Sequence, residues 1–168
     1  MEITQAGPEH LREILNLVEV CTSHMNVGGS EQWKKDVYPT DDMLEEDIRQ
    51  GNLYILKDEI DLIIAIVVVD DVGDPEYEPL EWKHTEGTIG YMHRMCIHPD
   101  LQGTGLATKM WEFAEDLARK RGYTHMRLDT YMGNKQVQGM IQRRGYERVG
   151  TVSFPPWDLP YICYEKVL

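Results

Sequence analysis

From Met95 to Lys109 the chain reads Met-Cys-Ile-His-Pro-Asp-Leu-Gln-Gly-Thr-Gly-Leu-Ala-Thr-Lys, an apolar strand, a turn bearing two glycines and the opening of a helix. Residues in that order can hold a pyrophosphate. The first four N–H groups of a helix have no partner inside it, and the helix dipole adds partial positive charge at the same end. Gly103 and Gly105 let the main chain approach a ligand with no Cβ in the way. Residues 103–108 therefore form a cradle for an anion. Two other phosphate-binding patterns are excluded residue by residue. No Gly-x-x-x-x-Gly-Lys-Ser/Thr run exists, and Thr108 stands where the third glycine of Gly-x-Gly-x-x-Gly belongs.

The elements around the cradle follow from periodicity. A short strand at Ile3 precedes a helix that Pro8 opens, with Leu11, Ile14, Leu15, Val18 and Cys21 at helical spacing. Thr40 is placed to cap a second helix, with Asp41 and Asp42 in its first turn and Met43, Leu44 and Ile48 on its apolar face. Strands are expected over 52–57 and 61–69, the second apolar at nearly every position and so covered on both faces. A polar insertion over 70–87 leads to a strand over 88–97 and then the cradle. The following helix runs to about Arg121, with Leu106, Met110, Phe113, Ala114 and Leu117 inward. A strand at 125–130, a helix at 134–144 and strands near 146–152 and 161–167 complete the chain. The expected class is α+β with mixed connections: one central, mostly antiparallel sheet with helices on both faces, in a single domain over residues 1–168.

Composition bounds the function. The formal net charge is −12, which disfavours binding to a phosphate backbone and leaves a cationic amine as a suitable partner. No apolar run spans a bilayer and no secretory leader is visible, so no membrane or nucleic-acid role is expected. Cys21, Cys96 and Cys163 are odd in number and widely spaced, which argues for a reducing cytoplasm and against a disulfide or zinc framework. The histidines form no pair with ligand spacing, so no metal is expected.

The strand, the Gln102-x-x-Gly105-x-Ala107 turn and the helix together resemble the signature of the GNAT family, the Gcn5-related N-acetyltransferases. A second match lies in Asn134-Lys135-Gln136-Val137 through Arg144-Gly145-Tyr146. The order of elements is similar to that fold over nearly the whole chain. The resemblance implies a GNAT acyl-CoA N-acyltransferase fold, acetyl-CoA as co-substrate and a primary amine of a small molecule or peptide as acceptor. It implies direct attack in a ternary complex; relatives often pair, so a homodimer is expected on analogy alone. An acyl-CoA-binding sensor without catalysis is the alternative.

Roles then carry over by position. Met95, Cys96 and Ile97 would pair with the pantetheine arm and polarise the thioester carbonyl through backbone N–H groups, while Gln102, Gly103, Thr104, Gly105, Leu106, Ala107 and Thr108 would hold the pyrophosphate. Asn134 would touch the cofactor or serve as a helix cap. Asp129 matches a position at which some family members carry a catalytic Glu; otherwise it is a structural carboxylate at a strand end. His93 is the second candidate base, with Glu86 a distant third. Strand alternation would put His93 on one face with Tyr91, Met95 and Ile97, about 7 Å before Met95. A buried, hydrogen-bonded histidine is its other reading.

Many members carry a tyrosine seven residues after the asparagine as proton donor to the leaving thiolate. Ile141 stands there and cannot donate a proton; Tyr131 is a substitute, or water. Cys96 is weighed as a covalent nucleophile and set aside, because it points away from His93. The family selects its acceptor with its first helices and variable loops, which here carry Gln32, Trp33, Tyr38, Tyr77, Trp82 and Phe154-Pro155-Pro156-Trp157. Their aromatic rings either wall an acceptor pocket or pack the loops down.

Overall fold

The computed structural model describes residues 1–156 and 158–168; Trp157, expected beside the acceptor, lies outside the described residues. The strands are β1 (Ile3–Gln5), β2 (Leu53–Lys57), β3 (Ile63–Asp70), β4 (Ile89–Ile97), β5 (His125–Tyr131), β6 (Glu147–Ser153) and β7 (Pro160–Val167). The helices are α1 (Leu11–Val27), α2 (Asp41–Arg49), α3 (Leu106–Lys120) and α4 (Lys135–Arg143). The class is mixed α/β, with a seven-stranded sheet in the order β1-β2-β3-β4-β5-β7-β6. The pairs β1–β2, β2–β3, β5–β7 and β6–β7 are antiparallel, and β4–β5 is parallel. The chain forms two compact units, Met1–Val69 with His93–Asp116, and Asp70–Met92 with Leu117–Leu168.

In the first unit, α1 follows a 3-10 turn begun by Pro8 and buries Ile14, Leu17, Val18 and Cys21. Helix α2 starts as its sequence requires: the Thr40 side-chain oxygen accepts the Met43 N–H at 3.2 Å, and Asp41 and Asp42 face the positive end of the dipole. Its inner face holds Leu44 and Ile48, together with Asp47, while Met43 is exposed. Strand β3 is buried at every position. One side of these strands meets α1 and α2 through Leu53, Ile55, Ile66 and Val68. Tyr54 points the other way and packs its ring on Phe113 of α3 at 5.0 Å.

The inward face of α3 differs from the expected stripe. Met110, Trp111, Ala114 and Ala118 are buried, while Leu106, Phe113 and Leu117 are half-buried. The apolar residues of this helix cover a wide arc, and burying the indole of Trp111 removes more apolar surface from water than burying Leu117.

The second unit pairs Ile89, Gly90 and Tyr91 of β4 with His125, Met126 and Arg127 of β5. Strand β7 runs antiparallel along all of β5, which sets Asp129 opposite Cys163. The insertion after β3, expected as a polar loop, is packed down. The buried Glu165 carboxylate accepts the Lys83 N–H at 2.7 Å, and Arg127 donates to the His84 carbonyl at 2.8 Å while its guanidinium covers the Trp82 ring at 4.0 Å. The Trp82 indole N–H donates to the Tyr77 carbonyl at 2.9 Å. Tyr77 ends a short 3-10 turn and is only 3% exposed.

Candidate active site

In the first unit the site begins at β4. Arg94, in the middle of the strand, has φ of +46°. A left-handed residue turns the next peptide out of the ladder, as in a β-bulge, and the strict alternation of side chains does not carry across it. Of the expected shared face, Tyr91, His93 and Met95 are alike half-buried, whereas Ile97 is buried in succession with Cys96. Cys96 joins the core that α1 supplies. Its thiol is pushed well above the usual range by contact with Cys21 and by burial, which leaves it without a thiolate. The Cys21 thiol in turn donates to the Ile97 carbonyl at 3.5 Å.

After β4 the His98 N–H donates to the Ile64 carbonyl at 2.8 Å, and a 3-10 turn over Pro99–Leu101 leads to the glycines. Gly103 and Gly105 have φ of +78° and +88°. A Cβ built on either would meet nothing within 4 Å. The demand for glycine here comes from backbone conformation, and the space above the loop is open. Thr104 ties the loop down by donating to the Leu101 carbonyl at 2.5 Å. The Lys109 N–H bonds the Gly105 carbonyl at 3.1 Å, so the N–H groups of residues 106–108 precede the first helical bond. Gln102, Gly103, Thr104, Gly105 and Thr108 are exposed, with Leu106 and Ala107 half-buried. A pyrophosphate fits this cradle: its donors are backbone groups at a helix start, which an acidic chain can offer without added cations.

The Arg94 side chain leaves β4 toward α2. Its Nε and one terminal nitrogen each donate to a different oxygen of Asp47 at 2.7 Å, and the other terminal nitrogen reaches the Tyr38 hydroxyl at 3.4 Å. Tyr38 also meets the Trp33 ring edge-on at 6.5 Å, and Trp33 is buried. These two aromatics pack the connector between α1 and α2.

The second unit holds Asp129, Tyr131, Asn134 and Trp82. Tyr77 donates its hydroxyl proton to an oxygen of Asp129. Burial, and then the charge of Asp129, push the Tyr77 phenol well above its ordinary range, so it stays protonated as the donor. Cys163, opposite Asp129, is pushed up by burial and then by Asp129 and Asp74. Tyr77 also packs against Trp82, Tyr91 and Phe154, with ring centroids 5.4, 5.9 and 6.4 Å away. Nothing local in the sequence marks Tyr77 as a partner of Asp129; only the Asp74-Pro75 turn that positions it is visible there. The Asn134 side-chain oxygen accepts the Val137 N–H at 3.2 Å, so this residue does cap α4. Ile141 is fully buried, and Tyr131 packs on Tyr161 at 6.0 Å. Glu86 is exposed. Among the described residues no three His, Cys, Asp or Glu side chains are grouped to hold a metal ion.

A strand, then a glycine turn feeding a helix, is the arrangement the sequence resemblance implies. Residues 12–146 match the acetyltransferase (GNAT) family. The chain belongs to that family. This GNAT protein is 24% identical over 154 residues to the uncharacterized N-acetyltransferase YesJ of Bacillus subtilis, covering 84% of this chain and 79% of that protein. A GNAT-family acetyltransferase from Streptococcus agalactiae 2603 superposes with a TM-score of 0.83 at 25% identity, covering 99% of this chain and 95% of that one. The fold is also shared with a chain of the NatC complex, solved with Gag peptide and CoA, at a TM-score of 0.70 and 15% identity over 100% and 99% of the two chains.

Proposed function

We propose that this GNAT protein transfers the acetyl group of acetyl-CoA to a primary amine of a small molecule or peptide, by direct attack in a ternary complex. The observation that carries the reading is the cradle, with Gly103 and Gly105 in left-handed conformation under open space at the start of α3. Acetyl-CoA supplies an acetyl group activated as a thioester. Backbone N–H groups of residues 103–108 bind the pyrophosphate. Backbone N–H groups beside Arg94, in β4, orient and polarise the thioester carbonyl. A base removes the amine proton; Asp129, held by Tyr77, and His93 are the two candidates, to be tested separately. Ile141 supplies no proton, so the leaving thiolate takes one from Tyr131 or from water.

The same Ile141 favours the second reading, a sensor that binds acyl-CoA without turnover. The deciding experiment is a thermal-shift titration with acetyl-CoA, with the Gly103→Glu/Gly105→Glu variant as control. A ligand at 100 times its dissociation constant adds about 2.7 kcal/mol. A shift lost in the folded variant supports the cradle, and consumption of acetyl-CoA with any of a panel of amines excludes the sensor. No shift at millimolar acetyl-CoA overturns both.

A further inference from the structure

The Asp47–Arg94 pair joins α2 to the one non-glycine residue of β4 that lies in the left-handed region. Both side chains are nearly buried, at 10% and 12% exposure. Asp47 falls three residues after Leu44 and one before Ile48, so the helix that buries those two carries its carboxylate inward as well. A buried carboxylate needs a compensating charge, and Arg94 meets both of its oxygens at 2.7 Å. Such a pair gives little stability over two apolar side chains of equal volume. What it does give is geometry: a bidentate guanidinium is fixed in plane and direction.

Each of the three guanidinium nitrogens also has a partner within the protein. Asp47 and the Tyr38 hydroxyl take nitrogens from both sides of its fork, so Arg94 is not disposed to bind a phosphate of a ligand. Its backbone is the unusual part. Arginine has a Cβ and disfavours φ of +46°, a conformation glycine adopts freely. The residue in the strained conformation is the same one whose side chain is anchored at the far end by α2.

We propose that Asp47 is a positioning residue for acetyl transfer: by anchoring Arg94 it holds the left-handed turn in β4 that directs the neighbouring N–H groups at the thioester carbonyl. The proposal rests on the acetyl-CoA reading above. Asp47 itself touches neither substrate nor reacting atoms. Its effect passes through the backbone of Arg94.

The test needs no knowledge of the acceptor. Carbon-13 carbonyl-labelled acetyl-CoA is bound to the full chain, and its C=O stretch is read by difference infrared spectroscopy, with unacetylated CoA affinity measured in parallel. In the parent protein the band moves to lower frequency than in water. In Asp47→Asn the downshift is largely lost while CoA affinity holds, and transfer to any amine found active falls about tenfold to a hundredfold through kcat. The double variant Asp47→Ala/Arg94→Gly removes both charges and puts the residue that tolerates positive φ at the turn; it recovers most of the downshift. An unchanged band in Asp47→Asn overturns the role of Asp47. A band lost in Asp47→Asn and not recovered in a folded double variant shows that the charge pair acts by something other than backbone conformation, which also overturns the proposal. Should the double variant not fold, the band in Asp47→Asn alone decides. Parent protein that binds no acetyl-CoA removes the acetyl-CoA reading, and this proposal with it; parent protein that binds with a shifted band leaves that reading standing whatever Asp47→Asn does.

Discussion

Tyr77 donates its hydroxyl proton to Asp129 across 52 positions of sequence, from a 3-10 turn after β3 to the far end of β5. The phenol is raised by burial and by the carboxylate it bonds, so the proton stays on the tyrosine. One oxygen of Asp129 is thereby oriented, which is what a base at a strand end requires.

Replacing Tyr77 with Phe removes a hydrogen bond that favours the ionised carboxylate, so the Asp129 pKa rises. If Asp129 is the base, the acid limb of kcat/KM moves to higher pH and the maximum falls. The loss of stability should be about 1–3 kcal/mol, because a part-buried acceptor loses its donor. Asp129→Asn should abolish the limb altogether. A Tyr77→Phe profile that overlays the parent, beside an inactive Asp129→Asn, would show that the bond only packs the insertion; an active Asp129→Asn would move attention to His93→Ala.

What the sequence disclosed and what it hid divide along the range of the interactions. Thr40 and Asn134 were readable as caps because a cap is settled within four residues, and β3 was readable because a strand covered on both faces is apolar throughout. Gly103 and Gly105 were readable because positive φ selects glycine. Arg94 was not, since arginine does not by itself select positive φ and the partner its side chain meets, Asp47, lies 47 positions away. Nor was the packing of the insertion, whose anchors Arg127 and Glu165 lie in later strands. The alternation expected along His93, Met95 and Ile97 does not reach Ile97, which is buried in succession with Cys96, because a period of two assumes an unbroken strand.

Asn134 caps α4, and its proposed contact with the cofactor can be separated from that role. Asn134→Ala should cost about 1 kcal/mol of stability by losing the cap. Asn134→Asp keeps the cap, because aspartate accepts the same N–H, but brings a negative charge. On the cofactor reading, Asn134→Asp keeps its melting temperature and loses acetyl-CoA affinity. Retained affinity in Asn134→Asp, measured by calorimetric titration, would leave Asn134 as a cap alone.

The cradle glycines should respond to conformation before size. Gly105→Ala places a Cβ where nothing lies within 4 Å, so the cost is that of a left-handed alanine, about 1–2 kcal/mol. Stability should fall by that amount, and acetyl-CoA affinity should fall with it as the loop relaxes. Gly103→Ala should behave alike. A variant as stable as the parent in urea would contradict the left-handed assignment of that residue.

His125 gives the protein a pH-dependent stability whose sign is fixed. Its ring stacks on His84 with centroids 5.0 Å apart, and Thr124 Oγ1 lies 2.7 Å from its Nδ1. Burial, then the neighbouring His84, lower its pKa below the ordinary 6.5, with Arg127 acting in the same direction and Glu165 against it. The unfolded chain therefore binds more protons than the folded one between that ordinary value and the depressed one. Folded stability is complete above the ordinary value, falls as pH drops through it, and levels off once the folded-state histidine also protonates. Urea midpoints measured from pH 8 to pH 5 should decline in the parent and decline less in His125→Gln, which cannot titrate. Carboxylates titrate in both proteins, so the difference between the two curves isolates the histidine. Parallel curves would mean that His125 protonates as readily folded as unfolded, and the stacked pair would then impose no penalty on its charge.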